Sequence, residues 1–227
     1  FTGSLNTYGL DDSDATGTNI TGGPFQAPDT SKWEEYVQNG MKLENGSVVI
    51  NADTAVAQIG SVGYGTLQAA LDAAQDDDTI ELLQDVTLTD GIEIDKNITL
   101  DLNGHTVEKA SDGWTADTSI DYLLAVKRGG NLTIEDSVGT GVIDAEDLVC
   151  GVKMTVKGEP ETGDNAVLTV NGGTIQGKYY GISGNGTRHG TKITINGGTI
   201  ASLHKEGTAI YHPQDGFLSG NDGEIKS

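Results

Sequence analysis

Leu168-Thr169-Val170-Asn171-Gly172-Gly173-Thr174-Ile175 returns 25 residues later as Ile193-Thr194-Ile195-Asn196-Gly197-Gly198-Thr199-Ile200. A weaker copy follows at the same step, Leu218-Ser219-Gly220-Asn221-Asp222-Gly223-Glu224-Ile225. A fixed period of this size marks one structural unit stacked on itself. Each unit reads as short β-strands separated by Asn and Gly, residues that accept positive φ at turns. The pattern predicts a solenoid of parallel strands.

Apolar alternation in the rest of the chain can be phased against this repeat. The first strand of each coil is expected to end at Leu102, Ile134, Val170, Ile195 and Gly220. The second carries Val107, Ile143, Ile175, Ile200 and Ile225, and the third Val126, Val152, Ile182 and Ile210. An earlier, shorter coil runs from Ile80 to Leu100. Three strands per coil, with insertions confined to the corners, predict an all-β chain: a single-stranded right-handed parallel β-helix of about five coils, because parallel β crossovers are overwhelmingly right-handed. At about 4.8 Å per strand, such a rod is about 25 Å long.

One segment reads as a helix. In Thr66–Gln75, Leu67, Ala70, Leu71 and Ala74 share one face at i, i+3, i+4 and i+7, and Thr66 is a suitable N-cap. An amphipathic helix over 66–75 is expected to cover the open apolar end of the first coil. Residues 1–46 lack such periodicity and read as an irregular arm, with Trp33, Tyr36 and Val37 available to dock it. Residues 47–227 form the predicted β-helix. Its third repeat copy opens a coil at Leu218 that breaks off at Ser227, so the expectation is a longer solenoid, or a last coil covered by the N-terminal arm or by a second subunit in end-to-end self-association.

The 227 residues hold 34 acids and 13 bases, a formal net charge of −21, which argues against nucleic acid and anionic lipid surfaces as partners. No apolar run approaches a membrane span. The lone cysteine, Cys150, shares an inward phase with Leu124 and Tyr180 and reads as a small buried hydrophobe. The four histidines show no metal-ligand spacing, and no cofactor motif is present. Asn103, Asn171, Asn196 and Asn221 fall at one phase and predict a structural side-chain ladder, interrupted at Glu135.

The third strand carries the candidate site. Ala125, Gly151, Gly181 and Ala209 precede its inward residues, and strict alternation turns them outward as a shallow floor of small residues. Lys127, Lys153, Ser183 and Tyr211 follow the inward residues, with Arg128 and His212 at the next corner. Trp114 and Arg188 stand in nearby insertions. A flat floor edged by bases and aromatic rings suits an extended polysaccharide, since ring faces pack on sugars and cations meet uronate or sulfate. For catalysis, Asp144, Glu146 and Asp147 lie nearest to Lys127, Arg128 and Lys153, a weak constellation for lyase or hydrolase chemistry.

The run Tyr64-Gly65-Thr66-Leu67-Gln68-Ala69-Ala70-Leu71-Asp72-Ala73-Ala74, then Asp78 to Leu88 (DTIELLQDVTL) and Ile98 to Val107 (ITLDLNGHTV), resembles the entry segment of pectate-lyase-like β-helix modules in large surface proteins of Gram-positive gut bacteria. The resemblance is close over residues 55–110 and looser to the end. It implies a secreted or cell-wall-attached protein, often multidomain, that serves adhesion or glycan contact, and it does not imply lyase activity. With the residues read above, the expectation is a non-catalytic module that binds glycan or acts as a rigid spacer. The calcium-binding acids and catalytic Arg of the true lyases have no matching residues here, nor do the Asp pairs and His of polygalacturonase-like enzymes. The alternative is a polysaccharide lyase or glycoside hydrolase working in a shallow groove on the third-strand face.

Overall fold

The computed structural model describes residues 21, 34, 36–114, 120–155, 165–184, 190–213, 216–220 and 223–226. Within them the chain is predominantly β, with one α-helix. Three parallel sheets carry the repeated strands, and the chain visits them in rotation. The first sheet contains Asp78–Leu82, Asn97–Asp101, Asn131–Glu135, Ala166–Val170, Thr191–Ile195 and Gly216–Gly220. The second contains Val86–Leu88, Thr106–Lys109, Val142–Ala145, Thr174–Gly177, Thr199–Ser202 and Glu224–Lys226. The third contains Ile92–Ile94, Tyr122–Val126, Cys150–Met154, Tyr180–Gly184 and Ile210–Tyr211. Isoleucine, leucine and valine from all three sheets meet in one continuous core. On the last strands of the first and second sheets, Leu218 and Ile225 are 48% and 60% exposed.

The second sheet has the register expected from sequence: Val107, Ile143, Ile175, Ile200 and Ile225 pair in series. The other two differ by two residues in one round each. Leu100, not Leu102, pairs with Ile134, so Ile80, Leu100, Ile134, Val170, Ile195 and Gly220 share one phase. Leu102 is a second inward residue at the corner, fully buried where Cβ atoms on Gly141 and Gly173 of the later rounds would clash with it. In the third sheet Leu124, not Val126, pairs with Val152.

The asparagine ladder changes accordingly. Asn196 Nδ2 donates to Asn171 Oδ1 (3.0 Å) and Asn171 Nδ2 donates to Glu135 Oε1 (3.1 Å). Glu135 therefore continues the column, in register with Asp101, which pairs in turn with Glu81. Asn103 stands two residues past that column and donates instead to the Leu82 carbonyl (2.9 Å) and Glu81 Oε1 (3.2 Å). Asn221 lies outside the described residues. In each Asn-Gly-Gly corner the second glycine takes φ of +76° (Gly173) or +79° (Gly198), a conformation that disfavours any side chain.

At the N-terminal side, Ala57–Ile59 extends the first sheet antiparallel to Asp78–Leu82, and Val62–Tyr64 pairs antiparallel with Ala57–Ile59 at its outer edge. Before them, Met41–Glu44 and Ser47–Ile50 form a hairpin. Its Asn45-Gly46 turn has φ of +50° and +78°, the positive pair a type I′ turn requires. The helix Leu67–Ala73 follows, with Thr66 Oγ1 accepting from Ala69 N at 3.1 Å as its N-cap. Leu67, Ala70, Leu71 and Ala74 join the continuous core. Sequence periodicity did not disclose how the helix ends. Lys96, from the strand connection one round on, donates through Nζ to the carbonyls of Leu71 (2.8 Å), Asp72 (2.9 Å) and Ala74 (2.8 Å). These carbonyls are the ones a helix C-terminus leaves unpaired, and a cation there also meets the negative end of the helix dipole. Lys96→Met, which keeps the aliphatic stem, is expected to cost about 1–2 kcal/mol, read as a lowered urea midpoint. A midpoint unchanged from the parent would show that water replaces the ammonium without loss.

Candidate functional site

The outer face of the third sheet is built differently from the predicted floor. Gly181 N and Ile182 N both donate to the Ala209 carbonyl, at 2.9 and 3.1 Å. The regular ladder is interrupted at this point: pairing holds at Tyr180 and again at Ile182 with no residue gained on either strand, and the strict alternation of side chains is lost between them. Leu123 and Leu124 accordingly both enter the continuous core. A Cβ on Gly151 would lie 2.9 Å from Ile175 Cγ2, and one on Gly181 would lie 2.6 Å from Ile200 Cγ2. Both glycines thus face the second sheet across the interior, and Ala209 belongs to the core. Ala125 does point outward, but it is covered by Tyr122 and Cys150, with Ile120 and Tyr180 alongside. There is no exposed floor of small residues.

What the face carries instead is a polar cluster leading to a run of aromatic rings. Glu93, Ala125, Lys153, Ser183 and Tyr211 occupy one register column across all five strands. The neighbouring column holds Tyr122, Cys150 and Tyr180. Cys150 is buried as expected, but against these tyrosines and not beside Leu124, and burial pushes its thiol pKa up so that it stays protonated.

Within the polar cluster, Lys127 Nζ meets Glu93 Oε2 at 2.9 Å and Tyr122 Oη donates to Glu93 Oε1 at 3.2 Å. Lys153 Nζ meets Asp121 Oδ1 at 2.5 Å and lies 5.6 Å from the centre of the Tyr122 ring. Burial, reinforced by the carboxylates of Glu93, Asp121 and Asp90, raises the Tyr122 phenol well above the ordinary tyrosine value. Tyr122 is therefore a hydrogen-bond donor and a packing surface at neutral pH, and a poor general base.

In the aromatic run, Tyr211 stacks on Tyr180 with centroids 5.0 Å apart and planes inclined by 24°. Tyr180 neighbours Tyr179 at 6.4 Å, and Tyr179 meets the His204 ring at 4.9 Å. Lys178 lies 5.9 Å above Tyr179. Four of the chain's seven tyrosines (Tyr122, Tyr179, Tyr180 and Tyr211) therefore gather on this side. Five strands at about 4.8 Å separation give the strip a length of about 19 Å.

Of the residues expected at the site, Lys127, Lys153 and Tyr211 belong to this strip. Lys127 is not in the Lys153 column, because the two-residue offset of its strand carries it past the end. His212 turns to the corner, where its Nε2 is 2.7 Å from Thr191 Oγ1, and burial lowers its pKa. Arg128 lies at the corner beside Gly190. Trp114 packs partly buried against the continuous core with Lys109 5.9 Å above its ring. Arg188 lies outside the described residues. Asp144, near the bases in sequence, accepts from Glu146 N and shapes its own turn.

Sequence reading does not bring out Glu93, Asp121, Tyr122 or Tyr179; it places His204 only in a nearby insertion, and it turns Tyr180 inward, whereas the Tyr180 ring stacks on Tyr211. The available signals were the Tyr179-Tyr180 pair in a chain only 5% aromatic, and the Ile92-Glu93-Ile94 alternation, which marks a fifth strand of the third sheet. A cleft of about 340 Å³ lies elsewhere, at the start of the helix, floored by Val56, Leu67, Val86, Leu88 and Ile92. Among the described residues no group of three or more His, Cys, Asp and Glu is placed to hold a metal ion. No helix among them is long and apolar enough to cross a membrane. In comparisons with known proteins, the chain matches no family model, no curated protein and no solved structure.

Proposed function

We propose that this chain is a non-catalytic module of an extracellular or wall-attached bacterial protein, a right-handed parallel β-helix whose third-sheet face binds an extended host or dietary glycan. Three features support the architecture. Each repeated strand pairs in parallel with its counterpart one round earlier, the three sheets share one core, and parallel crossovers are right-handed in all but a few per cent of cases. The similarity of residues 55–110 to pectate-lyase-like surface modules supports the setting. The observation that carries the binding function is the stacked pair Tyr180–Tyr211, continued through Tyr179 to His204, on a flat strip with Tyr211 still 42% exposed. Aromatic faces are the groups that pack on sugar rings, and a flat strip suits a chain laid along it.

The second reading, a polysaccharide lyase or glycoside hydrolase, draws on one observation: Glu93, Lys127, Tyr122, Lys153 and Asp121 converge. Each carboxylate in that cluster is already engaged by an ammonium group, and Tyr122 is driven away from ionisation. This is an arrangement for holding the face in shape. A rigid-spacer role calls for no binding at all.

The three roles separate experimentally. Purified chain is expected to be retained in native gels containing soluble polysaccharide, and Tyr180→Ala/Tyr211→Ala to weaken that retention by tenfold or more, which is about 1.4 kcal/mol or more for two stacking rings. Retention unchanged in a folded double variant would remove the strip from the function. Release of reducing or unsaturated ends from the polysaccharide would establish the enzymatic reading, and no retention on any polysaccharide would leave the spacer.

A further inference from the structure

We infer that the ligand of this face is an uncharged glycan, and that the charge pairing beneath the strip excludes polyanionic chains. The inference rests on the glycan-binding reading and narrows it to a chemical class. Bases beside aromatic rings, taken from sequence alone, invite a uronate or sulfate ligand. In the folded chain two of the three lysines along the strip are matched one to one, Lys127 by Glu93 at 2.9 Å and Lys153 by Asp121 at 2.5 Å, while the third, Lys178, lies 5.9 Å from the centre of the Tyr179 ring.

Lys153 and Asp121 are also largely covered, with side chains 17% and 30% exposed. An anionic sugar reaching Lys153 would have to displace Asp121 and leave that carboxylate beside its own charge, an exchange that gains no net ion pair and adds a repulsion. The corner histidine adds no compensating charge, since burial lowers the pKa of His212. Beyond the face, a net charge of −21 repels a polyanion before contact.

A neutral sugar meets none of these costs. Its ring face can stack on Tyr211 and Tyr180, and its hydroxyls can donate to carboxylate lone pairs that the lysines leave open.

The test is a binding comparison on the whole chain by calorimetry and affinity electrophoresis. Neutral polymers (galactomannan, xyloglucan, mannan and dextran) are set against polygalacturonate and heparin at 50 and 500 mM NaCl. The expected result is binding to at least one neutral polymer, with affinity changing less than twofold between the two salt concentrations, and at least tenfold weaker binding to both polyanions. Tighter binding to a polyanion, weakened tenfold or more by salt, would overturn the inference while leaving the face a glycan-binding surface. Binding to none of the six polymers would overturn both.

Discussion

Gly181→Leu is expected to destabilise the chain by about 3 kcal/mol or more, the upper range for forcing volume into a packed interior. At that site a Cβ alone would stand 2.6 Å from Ile200 Cγ2, 2.7 Å from the Ile175 carbonyl and 3.0 Å from the Ala201 carbonyl. Two of these three are backbone atoms of the second sheet, which cannot swing aside as the tip of a long side chain can. The crowding has a visible origin in the connections. Where Leu123 is accommodated in the core, residues 110–121 separate the second-sheet strand from the third-sheet strand. At Gly181 only Lys178 and Tyr179 separate Gly177 from Tyr180, and the corner closes tightly. A surface glycine facing outward would accept leucine within about 0.5 kcal/mol. The urea midpoint decides between the two positions: a loss of about 1 M or more is expected, given slopes of about 1–3 kcal/mol per molar. A midpoint within error of the parent would restore Gly181 to the outer face.

Ile143→Ala is expected to cost about 3–4 kcal/mol. Ile143 is fully buried and central in the second sheet, pairing with Val107 on one side and Ile175 on the other. Truncation removes the transfer free energy of its lost methyl and methylene groups and leaves a cavity, because flanking strands held by ladder hydrogen bonds collapse only partly into the space. In a chain of stacked repeats each round contacts chiefly its neighbours, so the damage should be local before it is global. Hydrogen exchange is expected to accelerate most at Thr106–Lys109, Val142–Ala145 and Thr174–Gly177, with the helix Leu67–Ala73 less affected. A loss below 1 kcal/mol, or acceleration spread evenly over all rounds, would contradict the stacked-core account.

Both predictions turn on how side chains divide between inside and outside, and sequence reading succeeded unevenly there. The second sheet was legible throughout. Its strands keep Val107, Ile143, Ile175 and Ile200 inward, and the Asn-Gly-Gly corners that lead into Thr174–Gly177 and Thr199–Ser202 are equal in length, so the register repeats unchanged. The slips at Leu102 and Val126 were each two residues. Because side chains alternate with period two, such a shift leaves every inward residue inward, and no pattern of hydrophobicity reports it. Only the pairing of Leu100 with Ile134 and of Leu124 with Val152 does. The small-residue floor failed for another reason. At Gly181–Ile182 two successive residues face inward, and glycine has no side chain whose polarity could signal which way it faces.

The candidate site depended on these details. Its tyrosines and lysines were visible as residue types, and Lys127, Lys153 and Tyr211 were picked out. Their partners were not, because Lys153 and Asp121 are 32 residues apart and Lys127 and Glu93 are 34 apart, with an insertion of unrelated length between them.

By itself, then, the amino-acid order determined that repeated strands stack in parallel, which segment forms the helix and which apolar positions of the second sheet fill the core. Those properties follow from local periodicity and turn chemistry. The tertiary structure alone decided which charges cancel and which rings meet on the third sheet. Contacts between rounds depend on register, and register is set by corner lengths that local sequence does not encode.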